Sequence, residues 1–136
     1  MEVFDAVRTV LAVRTYQDKP VPPVIIRQIV EAGRWTGSSM NEQPWHFIVV
    51  ENRDTLRLLG ALAASGPYIA QAPLAIVVAI EKTRYAVSGA SRAIQAMILT
   101  AWSEGVGSNW VGFLGLSEVN PLLGIPNNLD VLAILA

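Results

Sequence analysis

Apolar residues along this chain fall alternately at helical spacing and in short unbroken runs, with proline, glycine and polar residues between them. Phe4, Val7 and Leu11, flanked by Val3 and Val10, predict a first helix over residues 2–13 with a broad buried face. The proline-rich residues 15–23 lead into a second helix that ends near Trp35, since a proline in the first turn gives up no helical hydrogen bond. Its inner stripe is Ile25, Ile29 and Ala32, widened by Ile26, Val30 and Gly33. Residues 47–50 and 74–80 are unbroken apolar runs of the kind buried in the middle of a sheet. Between them Asn52 caps a third helix that carries Leu56, Leu59 and Leu62 and stops around Ser65-Gly66-Pro67. The strongest helical period, Ile94, Met97, Ile98, Ala101 and Trp102, closes at Gly105 and Gly107 and predicts the central core helix. Residues 109–113 read as a short strand or extended loop, Ser117 caps a brief helix up to Leu123, residues 124–128 turn, and residues 129–136 form a last strand. Helices and strands interleave without a repeat, which predicts one α+β domain over residues 1–136. The chain stops inside an apolar strand, and an unpaired strand end is a liability, so the expectation is a domain shortened at its C-terminus.

One stretch has neither period. Ser38-Ser39-Met40-Asn41-Glu42-Gln43-Pro44-Trp45-His46-Phe47 sets small polar side chains before an aromatic strand entry. It predicts a structured loop whose hydroxyls and amides are free to bond something flat and polar.

Composition narrows the classes. The 136 residues are 52% hydrophobic with a mean hydropathy of +0.41, and the excess implies a core or a subunit interface. The longest apolar run, residues 72–80, is too short to cross a bilayer, so no membrane partner is expected. Ten basic against eleven acidic residues, with no basic run, give none of the footprint of nucleic-acid binding. With no cysteine there is no disulfide, zinc–thiolate site or thiol nucleophile, and the acidic N-terminus lacks a signal-peptide start, so a cytoplasmic location is expected. His46 stands alone, without a cluster of metal ligands, and reads as structural; neither a catalytic residue nor a metal is assigned. Gly105-Val106-Gly107 lacks the strand-before-helix setting of a dinucleotide fingerprint and reads as a helix stop.

Four segments, in order, resemble the nitroreductase family of flavin-dependent NAD(P)H oxidoreductases. They are the opening helix followed by Arg14-Thr15-Tyr16 and the Pro20-Val21-Pro22 segment; residues 35–47; Ala93-Ile94-Gln95-Ala96-Met97; and the stretch from Gly105 through Gly112 to Phe113. The resemblance spans almost the whole chain, and Ser38-Ser39-x-Asn41-x-Gln43-Pro44-Trp45 is its most specific part. It implies a three-layer α+β fold, a central mixed and mainly antiparallel sheet flanked by helices, in a homodimer that binds FMN between its subunits. Hydride would pass from NAD(P)H through FMN to a nitroaromatic, quinone or similar small-molecule acceptor. The cofactor carries that chemistry, so no acid–base residue is demanded. By the same resemblance Arg14 stands beside the pyrimidine edge of the flavin, Ser38, Ser39 and Asn41 approach the ring from the partner subunit, and Val111 and Gly112 face the reactive ring with their backbone. Met40 lines the substrate side. Gly112 also has a physical reason, since a residue without Cβ lets the main chain approach a flat ring closely. Read without the family, Ser38 and Ser39 cap the loop, Asn41 and Gln43 brace it, and Arg14 pairs with Asp18 or Glu31.

The chain departs from the family at its phosphate-binding element, an Arg-Arg/His-Ser string before the position of Arg14. Here those positions are Val10, Leu11 and Ala12. Charge-assisted bonds contribute roughly 1.5–3 kcal/mol each, so losing three or four weakens FMN by on the order of a thousandfold if nothing replaces them. Gly37 stands where the family often has proline, and Gly89 where many members are acidic. The alternative function is therefore a dimeric binding or scaffold protein of the same fold, cofactor-free or binding flavin weakly.

Overall fold

The computed structural model describes residues 1–112 and 116–136. Strands β1 (Trp45–Val50), β2 (Ala75–Glu81), β3 (Trp110–Gly112) and β4 (Leu129–Leu135) form one sheet in the order β1-β2-β4-β3, each pair antiparallel. The parallel component is an isolated bridge between Ala12 and Ser108. Helices α1 (Val3–Thr9), α2 (Pro23–Arg34), α3 (Arg53–Leu62), α4 (Ala86–Ser103) and α5 (Val119–Leu123) complete the described elements. Phe113, the last residue of the predicted fourth segment, lies outside the described residues.

The layers follow from strand periodicity. Ala75, Val77 and Ala79 of β2 face a cluster with Leu56 and Leu59 of α3 and Val119 of α5, while Ile76, Val78 and Ile80 face Ile29 of α2 and Ile94 and Met97 of α4. A register shift opposite Val78 and Ala79 inserts Leu132 into β4, so Leu132 and Ala133 both turn toward the α4 side. Each large aliphatic side chain fully buried between these layers contributes about 1.5–3 kcal/mol. Helix α4 is the core helix its period predicts, but it starts at Ala86, because Ala86, Gly89 and Ala90 are small enough to extend the buried stripe toward its N-terminus. Helices α2 and α4 cross closely at Gly33, where a Cβ would stand 2.9 Å from both Met97 Sδ and Phe47 Cζ.

Several expectations are corrected. Helix α1 is only seven residues long, and of its apolar residues Ala6 alone is buried; Val3, Phe4 and Val7 are 78, 74 and 53% exposed, and Leu11 beyond it 67%. The apolar stripe is real, but nothing among the described residues covers it. Strand β1 is an edge strand, not a central one. It reads as buried because Phe47 packs on the α4 side and Ile48 and Val50 on the α3 side, so both faces are apolar although one edge is open. The last strand is paired on both sides, and Asn109 and Ala136 exchange backbone bonds of 2.8 and 3.1 Å beyond its end. Ser117 does not cap a helix; it lies inside a 3-10 turn over Leu116–Glu118, and α5 starts without a side-chain cap. Asn52 does cap α3, its Oδ1 accepting from the Thr55 amide at 3.0 Å.

Candidate functional site

The polar loop is built between the end of α2 and the start of β1. Pro44 is buried, packs against the first turns of α4 near Gly89, and accepts from the Glu81 amide with its carbonyl at 3.0 Å. That anchors the loop to α4 and to the end of β2. Ser38 Oγ accepts from the Gln43 amide at 2.9 Å, and Asn41 Oδ1 accepts from Gln43 Nε2 at 2.7 Å. The capping read for Ser38 and the bracing read for Asn41 and Gln43 are therefore present. Ser39 Oγ and Asn41 Nδ2 have no partner among the described residues, and Met40 is 87% exposed.

The backbone of this loop is strained. Met40, Asn41 and Gln43 sit at φ of 54°, 53° and 50°, in the left-handed region that costs an L-residue roughly 1–2 kcal/mol. These are the described chain's only non-glycine residues with positive φ. Strain of this kind persists where the surroundings over-determine it and clusters at ligand sites.

Arg14 belongs to a second group. The Val13 amide donates to the Ser108 carbonyl at 2.9 Å beside the Ala12–Ser108 bridge, which lays the segment leading to Arg14 along the segment leading to Val111 and Gly112. Arg14 is exposed and has no hydrogen bond or ion pair among the described residues. Neither suggested partner takes it: Glu31 pairs with Arg34 at 2.7 Å, which holds the Glu31 carboxyl below its ordinary range, and Asp18 makes no ion pair among the described residues. Val111 is buried, 2% exposed, and offers a ligand only its backbone. A Cβ on Gly112 would stand 2.5 Å from Trp110 Nε1, so the flat ring that needs glycine here is this chain's own indole. No hydrogen bond or ion pair among the described residues joins the loop to Arg14 or to Gly112.

Two residues carry features that sequence reasoning did not single out. Tyr16 has a buried hydroxyl with no partner among the described residues. Burial, then the neighbouring Tyr68, push its pKa up to about 12 against the opposing charge of Arg14, so the phenol stays neutral. Its ring stands 6.5 Å from that of Tyr68, whose hydroxyl accepts from Asn109 Nδ2. A cavity of about 50 Å³ lies beside Tyr16, lined also by Ile29, Ile76, Ala101, Ser108 and Leu135. Asn120, the other, is buried and donates through Nδ2 to the carbonyls of Leu129 and Pro126 at 3.0 and 3.3 Å, fixing the turn into β4. A tyrosine beside a cation and asparagines near glycine or proline are common in loops, and nothing in their spacing marks these. His46 is half exposed, with Nε2 3.7 Å from a Glu81 carboxylate oxygen, a surface pair on the edge strand. Among the described residues no group of three or more potential metal ligands converges, and no helix is long and apolar enough to cross a membrane.

Comparison with known proteins covers this whole arrangement. The model of the nitroreductase family matches residues 8–83 and 58–136. A protein of Methanothermobacter thermautotrophicus, provisionally named NADH dehydrogenase/NAD(P)H nitroreductase, is 34% identical over 137 aligned positions, covering 94% of this chain and 72% of its own. The structure of an FMN-dependent nitroreductase from Clostridium difficile superposes with a TM-score of 0.93 at 25% identity, covering 98% of this chain and 84% of that one. A protein from Desulfovibrio desulfuricans, provisionally named a nitroreductase and solved in complex with FMN, superposes with a TM-score of 0.89 at 28% identity, covering 98% and 83%.

Proposed function

The chain belongs to the nitroreductase family, and from there we propose that it is a homodimeric, flavin-dependent oxidoreductase of the cytoplasm. It passes hydride from NAD(P)H through FMN to a nitroaromatic, quinone or similar acceptor. The loop carries this reading. Three non-glycine residues are held in the left-handed region around Ser39 Oγ and Asn41 Nδ2, two donors with nothing to bond among the described residues. Such strain is difficult to account for in a loop that serves only to connect α2 with β1.

The donors present fit the ring end of a flavin. Arg14 is an unpaired cation suited to the electron-rich pyrimidine edge, and Ser39 and Asn41 offer a hydroxyl and an amide to polar ring atoms. FMN, when bound, supplies two-electron chemistry, taking hydride from NAD(P)H and delivering it, with a proton from solvent, to the acceptor. The chain's own share is orientation and charge: Arg14 favours negative charge on the ring, the loop fixes its plane, and exposed Met40 offers an apolar contact to an acceptor. The bare stripe of Val3, Phe4, Val7 and Leu11 supports the homodimer, because a second copy is the simplest cover for it. A dimer also brings one chain's loop to the other chain's Arg14 and Gly112, groups that no hydrogen bond or ion pair among the described residues joins within one chain.

The test is NAD(P)H oxidation by the purified protein with added FMN, using menadione and nitrofurantoin as acceptors. The expected result is acceptor-dependent oxidation that requires both protein and FMN. Oxidation no faster than that of FMN alone would overturn the reading. Val10, Leu11 and Ala12 favour the second reading, a scaffold without cofactor, and a dimer that binds no flavin would establish it.

A further inference from the structure

We infer that this chain holds flavins by the ring and ribityl chain alone, and takes unphosphorylated riboflavin as readily as FMN. This rests on the flavin reading above and specifies which flavins that site accepts. The reason lies in residues 10–12, where Val10, Leu11 and Ala12 stand in place of a cationic and hydroxyl-bearing phosphate element.

The side chains there offer no donor, and the donors of α1 and of the segment after it are mostly engaged already. Of the amides, Val10 N donates to the Ala6 carbonyl at 3.0 Å and Val13 N to the Ser108 carbonyl at 2.9 Å, which leaves those of Leu11 and Ala12. Thr9, the one hydroxyl between Val3 and Arg14, is engaged twice: it donates to the Asp5 carbonyl at 2.5 Å and accepts from Trp102 Nε1 at 2.9 Å. Arg8, the cation of the last turn of α1, pairs with Asp5 at 3.0 Å. Arg14 is unpaired but belongs, on this reading, at the opposite end of the cofactor.

Two main-chain amides with no cation beside them leave most of a phosphate dianion's charge to water, and at an exposed site bonds to it replace hydration of similar worth. The phosphate therefore adds no net affinity, and flavins that differ only there bind alike.

Titration of flavin fluorescence with the wild-type dimer decides this. The expected dissociation constant for riboflavin is below that for FMN or within about fivefold of it, less than one charge-assisted bond contributes. An FMN preference beyond about fivefold overturns the inference and leaves the flavin reading standing. Failure of both flavins to bind overturns the two together. Replacing Val10→Arg, Leu11→Arg and Ala12→Ser is expected to tighten FMN by tenfold or more with riboflavin unchanged, on the order of one to two charge-assisted bonds; no change for FMN overturns the assignment of this segment. Ala12→Ser alone, at an exposed position outside the bare stripe of α1, guards against a misfolded triple variant and is expected to shift FMN in the same direction by about threefold.

Discussion

Between Ser38 and Gln43 the backbone holds three non-glycine residues at positive φ around a set of polar side chains, while Val10 leaves α1 in relaxed geometry, φ −57° and ψ 134°, and enters an apolar segment tied to Ser108. On the proposed reading, one stretch meets the flavin ring and the other stands at its phosphate. In one, conformational energy is stored and donors are left open; in the other there is neither strain nor a side-chain donor. Strain survives in a marginally stable protein where something uses it, and the proposed reading predicts that ligand contacts are kept in the first stretch and lost in the second.

The sharpest way to break the contrast is to remove the second copy. Phe4→Asp with Val7→Asp charges two exposed positions and is expected to convert the dimer to monomer in sedimentation, lower the melting temperature by the contribution of the lost interface, and weaken flavin binding by about a hundredfold or more. A monomer that binds flavin as tightly as the wild type would show that the loop does not act across an interface. Next in size, Ser39→Ala with Asn41→Gly removes both open donors and is expected to weaken flavin about ten- to hundredfold in the same titration. Leu11→Ala, in the other stretch, should change it less than about twofold. Met40→Gly should raise stability by about 0.5–1 kcal/mol in urea unfolding, by relieving left-handed strain at a side chain 87% exposed.

A further effect, on stability alone, concerns Tyr16, next to Arg14. Its pKa is raised to about 12, so above pH 10 the unfolded phenol loses its proton while the folded one keeps it. The folded state then binds more protons, and stability falls as pH rises from 10 to 12. Tyr16→Phe removes that slope and an unpartnered hydroxyl, and should gain about 1 kcal/mol at neutral pH. Urea unfolding at neutral and alkaline pH checks both.

Much of the fold is legible in the sequence because burial imposes a period. Helix α4 and strand β2 are buried along their length, and their residues say so. A period does not say what covers it, which is why the stripe of α1 reads as core while lying bare, and why β1, covered by helices on both faces, reads as central while forming an edge. The loop's residue types reveal its polarity, yet Met and Gln are not residues that favour positive φ, so the strain at Met40 and Gln43 has no local signal. Arg14 is legible as a cation but not as unpaired, because that depends on Arg34 claiming Glu31. The burial of Tyr16 is equally a tertiary fact, set by Tyr68 and the neighbouring core.

The most direct measurement is a titration of FMN absorbance and fluorescence with the purified wild-type protein, followed by NAD(P)H under anaerobic conditions. A flavin cradled by residues 38–43 predicts saturable quenching and then bleaching of the bound flavin's yellow band. No saturable change at protein concentrations in the high micromolar range would contradict it.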